Sequence, residues 1–305
     1  RRVAAVGLSL SLLTGRGADG SLGPMRILVT GAKGMLGRTL ARHLGPHELT
    51  LADVDDFDLT DARATDEAIR AARPDVVIHG AAFTAVDRCE TEVDAAFAVN
   101  ATGSAHVAVA AHRAGARLVA VSTDYVFSGD LDRPYVETDR ADPRTVYGKS
   151  KWAGEEAIRA HCPDHTIVRI AWLYGQGGPS FVHTMARLGR QAGDPLRVVD
   201  DQRGNPTSCD AVAAKIAELL EVPTAGTLHL TCEGQTTWYG LTVDLFERLG
   251  LDRPVEPCTT AAFPRPAPRP ANSRLDNRGL RALGLSEMPS WEAALDRFLR
   301  DHPEL

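Results

Sequence analysis

The chain has 305 residues, enough for one or two domains with a sizeable core and too few for three. It is 44% hydrophobic and 24% charged, an ordinary globular balance, and its formal net charge of −6, with no run of five lysines or arginines, argues against a nucleic-acid surface. The five cysteines (89, 162, 209, 232 and 258) form no CxxC pair and accompany no HExxH, so neither a disulfide framework nor a metal site is expected, and a reducing cytoplasm is the simpler setting.

Residues 1–24 stand apart. RRVAAVGLSLSLL mimics a secretion signal, with two arginines before an apolar run, but the Gly-rich TGRGADGSLGP after it offers no small-x-small cleavage site. The run is also too short to span a bilayer. A disordered or spurious extension is expected here, with the folded protein starting near Met25. No other segment reads as membrane-spanning.

From Met25 onward strands and helices alternate. RILVT (Arg26–Thr30) reads as a short apolar strand, followed by a Gly turn and a helix over about Met35–Leu44. ELTLAD (Glu48–Asp53) is a second strand, and DDFDLT is a candidate for a short third. A helix over about Asp61–Arg73 precedes a buried strand, PDVVIHGAA (Pro74–Ala82). Then come a long helix over about Val93–Ala114, a strand RLVAVST (Arg117–Thr123), a polar loop, the helix opened by YGKSK (Tyr147–Lys151) and a strand TIVRIAWLYG (Thr166–Gly175). Such alternation implies right-handed crossovers and a parallel sheet covered on both faces. The strands read as continuous apolar runs, as two-sided burial requires. Beyond Gly175 helices are expected near Phe181–Gln191, Cys209–Leu220, Trp238–Leu249 and Ser290–Arg300. FPRPAPRP (Phe263–Pro270) is an extended polyproline-like loop.

TGAKGMLG (Thr30–Gly37) places Gly31, Gly34 and Gly37 between the first strand and the first helix. The first glycine permits a tight turn, the second lets backbone approach a pyrophosphate, and the third lets the helix pack close to the sheet. The helix N-terminus offers free N–H groups to phosphate oxygens. Asp53, at the end of the second strand, stands where a ribose-hydroxyl acceptor is expected. It reads equally as a solvated acid among Asp55, Asp56 and Asp58. An acid there favours NAD over NADP, while Arg38 or Lys33 is able to answer a 2′-phosphate, so both NADPH and NADH stay open as cofactors. The expected fold class is therefore α/β: a Rossmann-type doubly wound parallel sheet over 25–175, joined by about 196–231, with 176–305 forming mainly a smaller C-terminal α/β substrate-binding domain.

Tyr147 and Lys151 lie four residues apart, about one helical turn, and share a face. A phenol titrates near 10 in water, and a cation one turn away stabilises its anion, more strongly in a partly dry cleft. Tyr147 would then give a proton to a carbonyl oxygen as hydride arrives at its carbon. A surface Tyr–Lys pair on an amphipathic helix is the bland alternative. Ser122 and Thr123 weigh against it: they end a strand at the edge that faces the ligand crevice in open α/β sheets, where a hydroxyl can hold a substrate oxygen beside the tyrosine.

These residues resemble the extended short-chain dehydrogenase/reductase superfamily and, more closely, the dTDP-4-dehydrorhamnose reductases. The match runs from Met25 to about Phe298 through GAKGMLG, AAFTAVDRCE (Ala81–Glu90), AVNATG (Ala98–Gly103), STDYVFSGD (Ser122–Asp130), YGKSKWAGE (Tyr147–Glu155), DQRGNPT (Asp201–Thr207) and RPANSRLD (Arg269–Asp276). The resemblance implies that Gly34, Met35 and Leu36 lie on the pyrophosphate, Asp53 on the adenosine ribose, Asp58 and Leu59 near the adenine, and Ala81, Ala82 and Phe83 beside the nicotinamide. Tyr147 would be the proton donor, Lys151 its partner on the ribose, and Thr123 a third catalytic group. Thr123, Asp124, Trp172 and Arg269 would contact the sugar nucleotide; for Arg269 a structural ion pair is the competing reading. Many members carry His where Phe83 stands, which leaves that contact open. Magnesium and a homodimer are implied by the resemblance alone.

The implied reaction is reduction of the C4 ketone of a dTDP-4-keto-6-deoxy-L-sugar by NADPH or NADH. Ala- and Arg-rich composition points to a high-GC bacterium, so the product is read as dTDP-L-rhamnose or a relative such as dTDP-dihydrostreptose, for a cell-wall polysaccharide or an antibiotic. Related 4,6-dehydratases carry Thr-Asp-Glu where this chain reads Thr123-Asp124-Tyr125, and the missing Glu argues against dehydration. A 4-epimerase, which would retain its NAD, is one alternative. The other is a non-catalytic NADP-binding subunit, of the kind that regulates methionine adenosyltransferase.

Overall fold

The computed structural model describes residues 23–305, so the expected N-terminal extension, apart from Gly23 and Pro24, lies outside the described residues. In chain order the elements are β1 (Arg26–Thr30), α1 (Met35–His43), β2 (Glu48–Ala52), α2 (Ala62–Ala72), β3 (Val76–His79), α3 (Val86–Cys89), α4 (Val93–Phe97), α5 (Ser104–Arg113), β4 (Arg117–Thr123), α6 (Val146–His161) and β5 (His165–Ile170). They continue with β6 (Leu173–Tyr174), α7 (Phe181–Gly189), β7 (Leu196–Val199), β8 (Arg203–Gly204), β9 (Thr207–Ser208), α8 (Cys209–Leu220), β10 (Gly226–His229), β11 (Thr236–Thr237), α9 (Trp238–Leu249), β12 (Val255–Cys258), β13 (Asn272–Ser273), α10 (Arg278–Ala282) and α11 (Trp291–Asp301).

Six parallel strands form the main sheet in the order β10-β5-β4-β3-β1-β2. Successive side chains of a strand point to opposite faces, and the core divides accordingly. Ile27 and Val29 of β1 face Leu36 and Leu40 of α1 and Val212 and Ile216 of α8. Leu28, between them, faces the opposite layer, built from Ile69 of α2, Val107 of α5 and Ile158 of α6. A doubly wound sheet with helices on both faces is thus the observed fold, as expected. Within 196–231, α8 and β10 pack on this sheet, whereas β7 pairs with β12 and β8 with β11 and β13. A separate core, including Val182, Leu241, Leu245, Phe246, Trp291 and Phe298, gathers α7, α9 and α11.

Four local expectations differ. DDFDLT forms turns, not a strand, because its acids cap nearby backbone: the Asp53 N–H donates to Asp56 (2.8 Å) and the Thr60 N–H to Asp58 (2.8 Å). β2 is an edge strand whose outer residues, including Leu51, meet solvent, so it lacks two-sided burial. The strand predicted over Thr166–Gly175 breaks after Ile170, where Trp172 takes a left-handed backbone (φ +48°), and Leu173–Tyr174 pairs instead with β9. The long helix over 93–114 widens into a π-helical stretch at Ala98–Gly103.

The π stretch has a packing consequence. It brings the Asn100 side chain under residues 83 and 150: the amide oxygen accepts from the Phe83 N–H (2.8 Å), and the amide nitrogen donates to Phe83 O (3.1 Å) and Ser150 Oγ (3.0 Å). π-bulges recur beside functional sites because they redirect one side chain this way. Helix α6 crosses here at Gly154, where a Cβ would overlap the Asn100 carbonyl oxygen. Gly154→Ala is therefore expected to destabilise the protein by about 1–3 kcal/mol through overpacking, despite alanine's better helix propensity. Denaturant unfolding measures it, and a variant as stable as the parent would contradict this packing.

Candidate active site

The carboxyl ends of β1, β3, β4 and β5 open into a cavity of about 770 Å³, within the usual range for cofactor and ligand sites. The strand order reverses beside β1, which is where doubly wound sheets leave a crevice. Its walls carry Gly31, Gly34, Met35, Leu36 and Gly37; Asp53, Asp58 and Leu59; Ala81, Ala82 and Phe83; and Thr123, Asp124, Tyr147, Lys151 and Trp172.

At one end, Gly31 adopts φ +72° and lies so close to the β3–α3 connection that a Cβ would sit 2.7 Å from the Ala81 nitrogen. A Cβ on Gly37 would overlap the Gly31 carbonyl. Helix α1 starts at Gly34 with no side-chain cap and no acid in its first turn, so its leading N–H groups remain for a ligand. A bare backbone cradle at a positive helix end fits a dinucleotide pyrophosphate. Asp53 accepts the Lys33 N–H (2.8 Å) and the Val54 N–H (2.8 Å), and Lys33 pairs with Asp55. The Asp58 carboxyl, bonded to the Thr60 N–H and hydroxyl, is held below the usual carboxylate range.

Mid-cavity, Phe83 is fixed by Asn100 through its backbone and by the Arg88 guanidinium over its ring at 5.2 Å. At the far end, helix α6 presents Tyr147 and Lys151 to the end of β4. The Thr145 side chain caps this helix by accepting the Gly148 N–H (3.0 Å). Lys151, 7% exposed, donates to the Val121 carbonyl (2.8 Å). Burial lowers its ammonium to about 8, partly opposed by Glu155. Burial also pushes the Tyr147 phenol above its ordinary value, opposed by its hydrogen bond with Thr123. The expectation that the lysine makes this phenol acidic is not met within the protein alone: Lys151 turns to a backbone carbonyl, and the phenol stays neutral.

Thr123 donates to Asp124 Oδ1 (2.9 Å) and accepts the Tyr125 N–H (3.3 Å). Asp124 is 5% exposed, and its Oδ2 is buried without a partner. Burial raises this carboxyl to about 6. Tyr125 meets the Tyr147 ring edge-on at 5.4 Å.

Trp172 forms the outer wall. Its ring stacks on Trp238 of α9 with centroids 3.5 Å apart, and the Trp238 Nε1–H donates to Gln202 (3.0 Å). A left-handed Trp costs on the order of 1–3 kcal/mol, which this stack helps to sustain. Two candidates do not line the cavity: Arg38, whose Nε donates to the Lys33 carbonyl (2.8 Å), and Arg269. The Arg269 guanidinium forms a two-pronged pair with Asp87 (2.9 Å on each arm) and donates to the Ala267 carbonyl (2.8 Å), the structural ion pair that competed with the substrate reading.

Sequence reasoning did not single out Asn100, Trp238 or Glu155. Asn100 sits in an unbroken helical pattern, and periodicity carries no sign of a π turn. Trp238 reaches the site from a distant helix. Glu155 alone had a local signal, because it repeats the Tyr147–Lys151 spacing once more.

The family model described as "RmlD substrate binding domain" matches residues 25–303. A dTDP-4-dehydrorhamnose reductase of Streptomyces griseus is 46% identical over 279 residues, covering 88% of this chain and 91% of that protein. A probable dTDP-4,6-dihydroxy-2-methyloxan-3-one 4-ketoreductase of Streptomyces antibioticus is 43% identical over 291 residues, covering 92% and 98%. Among solved structures, a dTDP-4-dehydrorhamnose reductase of Bacillus anthracis in complex with NADP superposes with a TM-score of 0.89 at 37% identity, covering 91% of this chain and 99% of that one. On a match that spans the whole sheet and the cavity described above, the chain belongs to the RmlD substrate-binding-domain family.

Proposed function

We propose that the protein is a reductase that converts the C4 ketone of a dTDP-4-keto-6-deoxy-L-sugar to an alcohol at the expense of NADPH or NADH. The observation that carries this reading is the Thr123, Tyr147 and Lys151 constellation at the end of β4, in one cavity with a bare Gly31–Gly37 cradle. When bound, a reduced nicotinamide supplies the hydride.

Every other role falls to this chain's own side chains. Reduction needs a proton for the developing alkoxide, and a neutral buried phenol is the form able to give it. Tyr147 is the donor, and Thr123, bonded to it, aligns the hydroxyl. Lys151 has three N–H donors and spends one on Val121, so two remain for a ribose hydroxyl. Asp124 and Trp172 hold the sugar nucleotide, Asp124 through its unpartnered Oδ2. Residues 176–305 act mainly as the substrate-binding part. The reading takes in both product classes, rhamnose and a related antibiotic deoxysugar. It places the enzyme in the cytoplasm, in keeping with its five free cysteines, as a homodimer. Tyr125 at the position of the dehydratases' glutamate leaves no second carboxyl for elimination.

Tyr147→Phe is expected to lower kcat by about 10²–10⁴-fold with dinucleotide affinity retained; near-parental turnover would remove Tyr147 from the mechanism. Asp124 gives a second prediction. A carboxyl raised from 3.8 to about 6 on folding costs up to about 3 kcal/mol once ionised. The folded state binds the extra proton between those values, so stability falls as pH rises from about 4 to about 6 and is level above. Asp124→Asn should flatten that slope, stabilise the protein at pH 7 by about 1–3 kcal/mol and cut kcat/KM at least about tenfold. Thermal unfolding against pH, beside steady-state rates, checks both halves. Equal destabilisation at pH 4 and pH 7 would contradict the account.

A further inference from the structure

The helical stripe that carries Tyr147 and Lys151 has a third buried member. Glu155 lies four residues beyond Lys151 and is 2% exposed. Its carboxylate accepts four hydrogen bonds: Oε1 from Ser122 Oγ (2.6 Å) and Arg169 Nε (2.9 Å), Oε2 from Arg169 Nη2 (2.7 Å) and Arg159 Nη2 (2.7 Å). Ser122 stands between Val121, whose carbonyl holds Lys151, and Thr123, which bonds Tyr147. Three side chains at one-turn intervals on α6 therefore grip three consecutive residues at the end of β4.

A structural ion pair would need only Arg169. The extra bond to Ser122 ties Glu155 to the strand end that the chemistry uses, and the i, i+4 spacing sets its charge beside Lys151. We propose that Glu155 is a positioning residue of the reductase site: its fixed negative charge keeps Lys151 an ammonium in a buried setting, and its bond to Ser122 fixes the strand end that carries Thr123. The effect on turnover rests on the reductase reading; the electrostatic effect on Lys151 does not.

The charged and titratable groups around the pair are few. Lys151 is faced by Tyr147 and Glu155 on its own helix and by His79 on β3. Glu155 is faced by Arg159 on α6, Arg169 on β5 and His229 on β10. Burial drives both histidines down to about 3, so they stay neutral through the range of interest. Burial works against the Glu155 anion, but its bonds and charge contacts with Arg169 hold it below the usual carboxylate range. A transition near pH 8 is therefore that of Lys151 against a constant anion.

The chain has four lysines, at 33, 149, 151 and 215, so ¹³Cε-lysine labelling gives four resolvable signals, with Lys151 assigned by Lys151→Arg. In the unsubstituted protein the Lys151 midpoint is expected near 8. Glu155→Gln is expected to lower it by more than about one unit, and to cut kcat at neutral pH with recovery as pH is lowered. Glu155→Asp keeps the charge and is expected to hold the midpoint within about half a unit, whatever it does to stability. A folded Glu155→Gln protein with an unchanged Lys151 midpoint would overturn the proposal and leave Glu155 a packing ion pair. Should that variant fail to fold, a midpoint below about 7 in the unsubstituted protein overturns it equally. Absence of reductase turnover in the parent protein would sink the functional reading while the lysine titration still decides this one.

Discussion

The site depends on the grip of helix α6 on the carboxyl end of β4. A parallel sheet fixes where each strand stops, and β4 stops with a hydroxyl, Thr123, at the mouth of the crevice. That hydroxyl becomes useful only if a proton donor is held against it. Tyr147 and Lys151, the proposed donor and its cation, share one face because a helical turn repeats every 3.6 residues, and Thr145 sets the phase of the helix by capping it. The cost is concentrated in the same place: a buried lysine, a buried phenol and an Asp124 carboxylate with one oxygen unpaired. A fold selected for stability alone would hold none of these there.

The rest of the architecture supports that strand end from two directions. From below, the π-helical stretch lets α6 approach closely at Gly154 and sends Asn100 to Phe83, so the cavity wall and the helix carrying Tyr147 are set by one side chain. From outside, the second core of α7, α9 and α11 carries Trp238 against Trp172, which converts a break after β5 into an aromatic wall. The glycine cradle and the Trp172 wall thus come from different cores but meet at the same strand ends.

Much of this was legible in the residues. The glycines at 31, 34 and 37 could be read because backbone proximity leaves a compositional trace, and Tyr147–Lys151 because a shared helical face fixes a spacing. The apolar runs gave the sheet. What escaped notice depends on partners distant in the chain. DDFDLT has strand-like alternation, but its acids cap local backbone more favourably than they would pair with a neighbouring strand. Asn100 lies in a helix whose widening no periodicity reveals. Arg269 could be placed on a loop, but not against Asp87, because an ion pair between residues 182 positions apart follows from the fold. The direction of the Tyr147 perturbation was also misjudged: charge spacing is visible in sequence, whereas burial, which dominates here, is not.

The central claim is that hydride reaches C4 of the sugar while Tyr147 protonates the oxygen on that carbon. The most direct measurement is to incubate the protein with dTDP-4-dehydro-L-rhamnose and NADPH deuterated on the transferred position, and to locate the label by NMR. The account predicts one deuterium per turnover, bound to C4 of a dTDP-6-deoxy-L-sugar, with an equal amount of NADP produced. Label at another carbon, or a sugar altered without net consumption of NADPH, would contradict it.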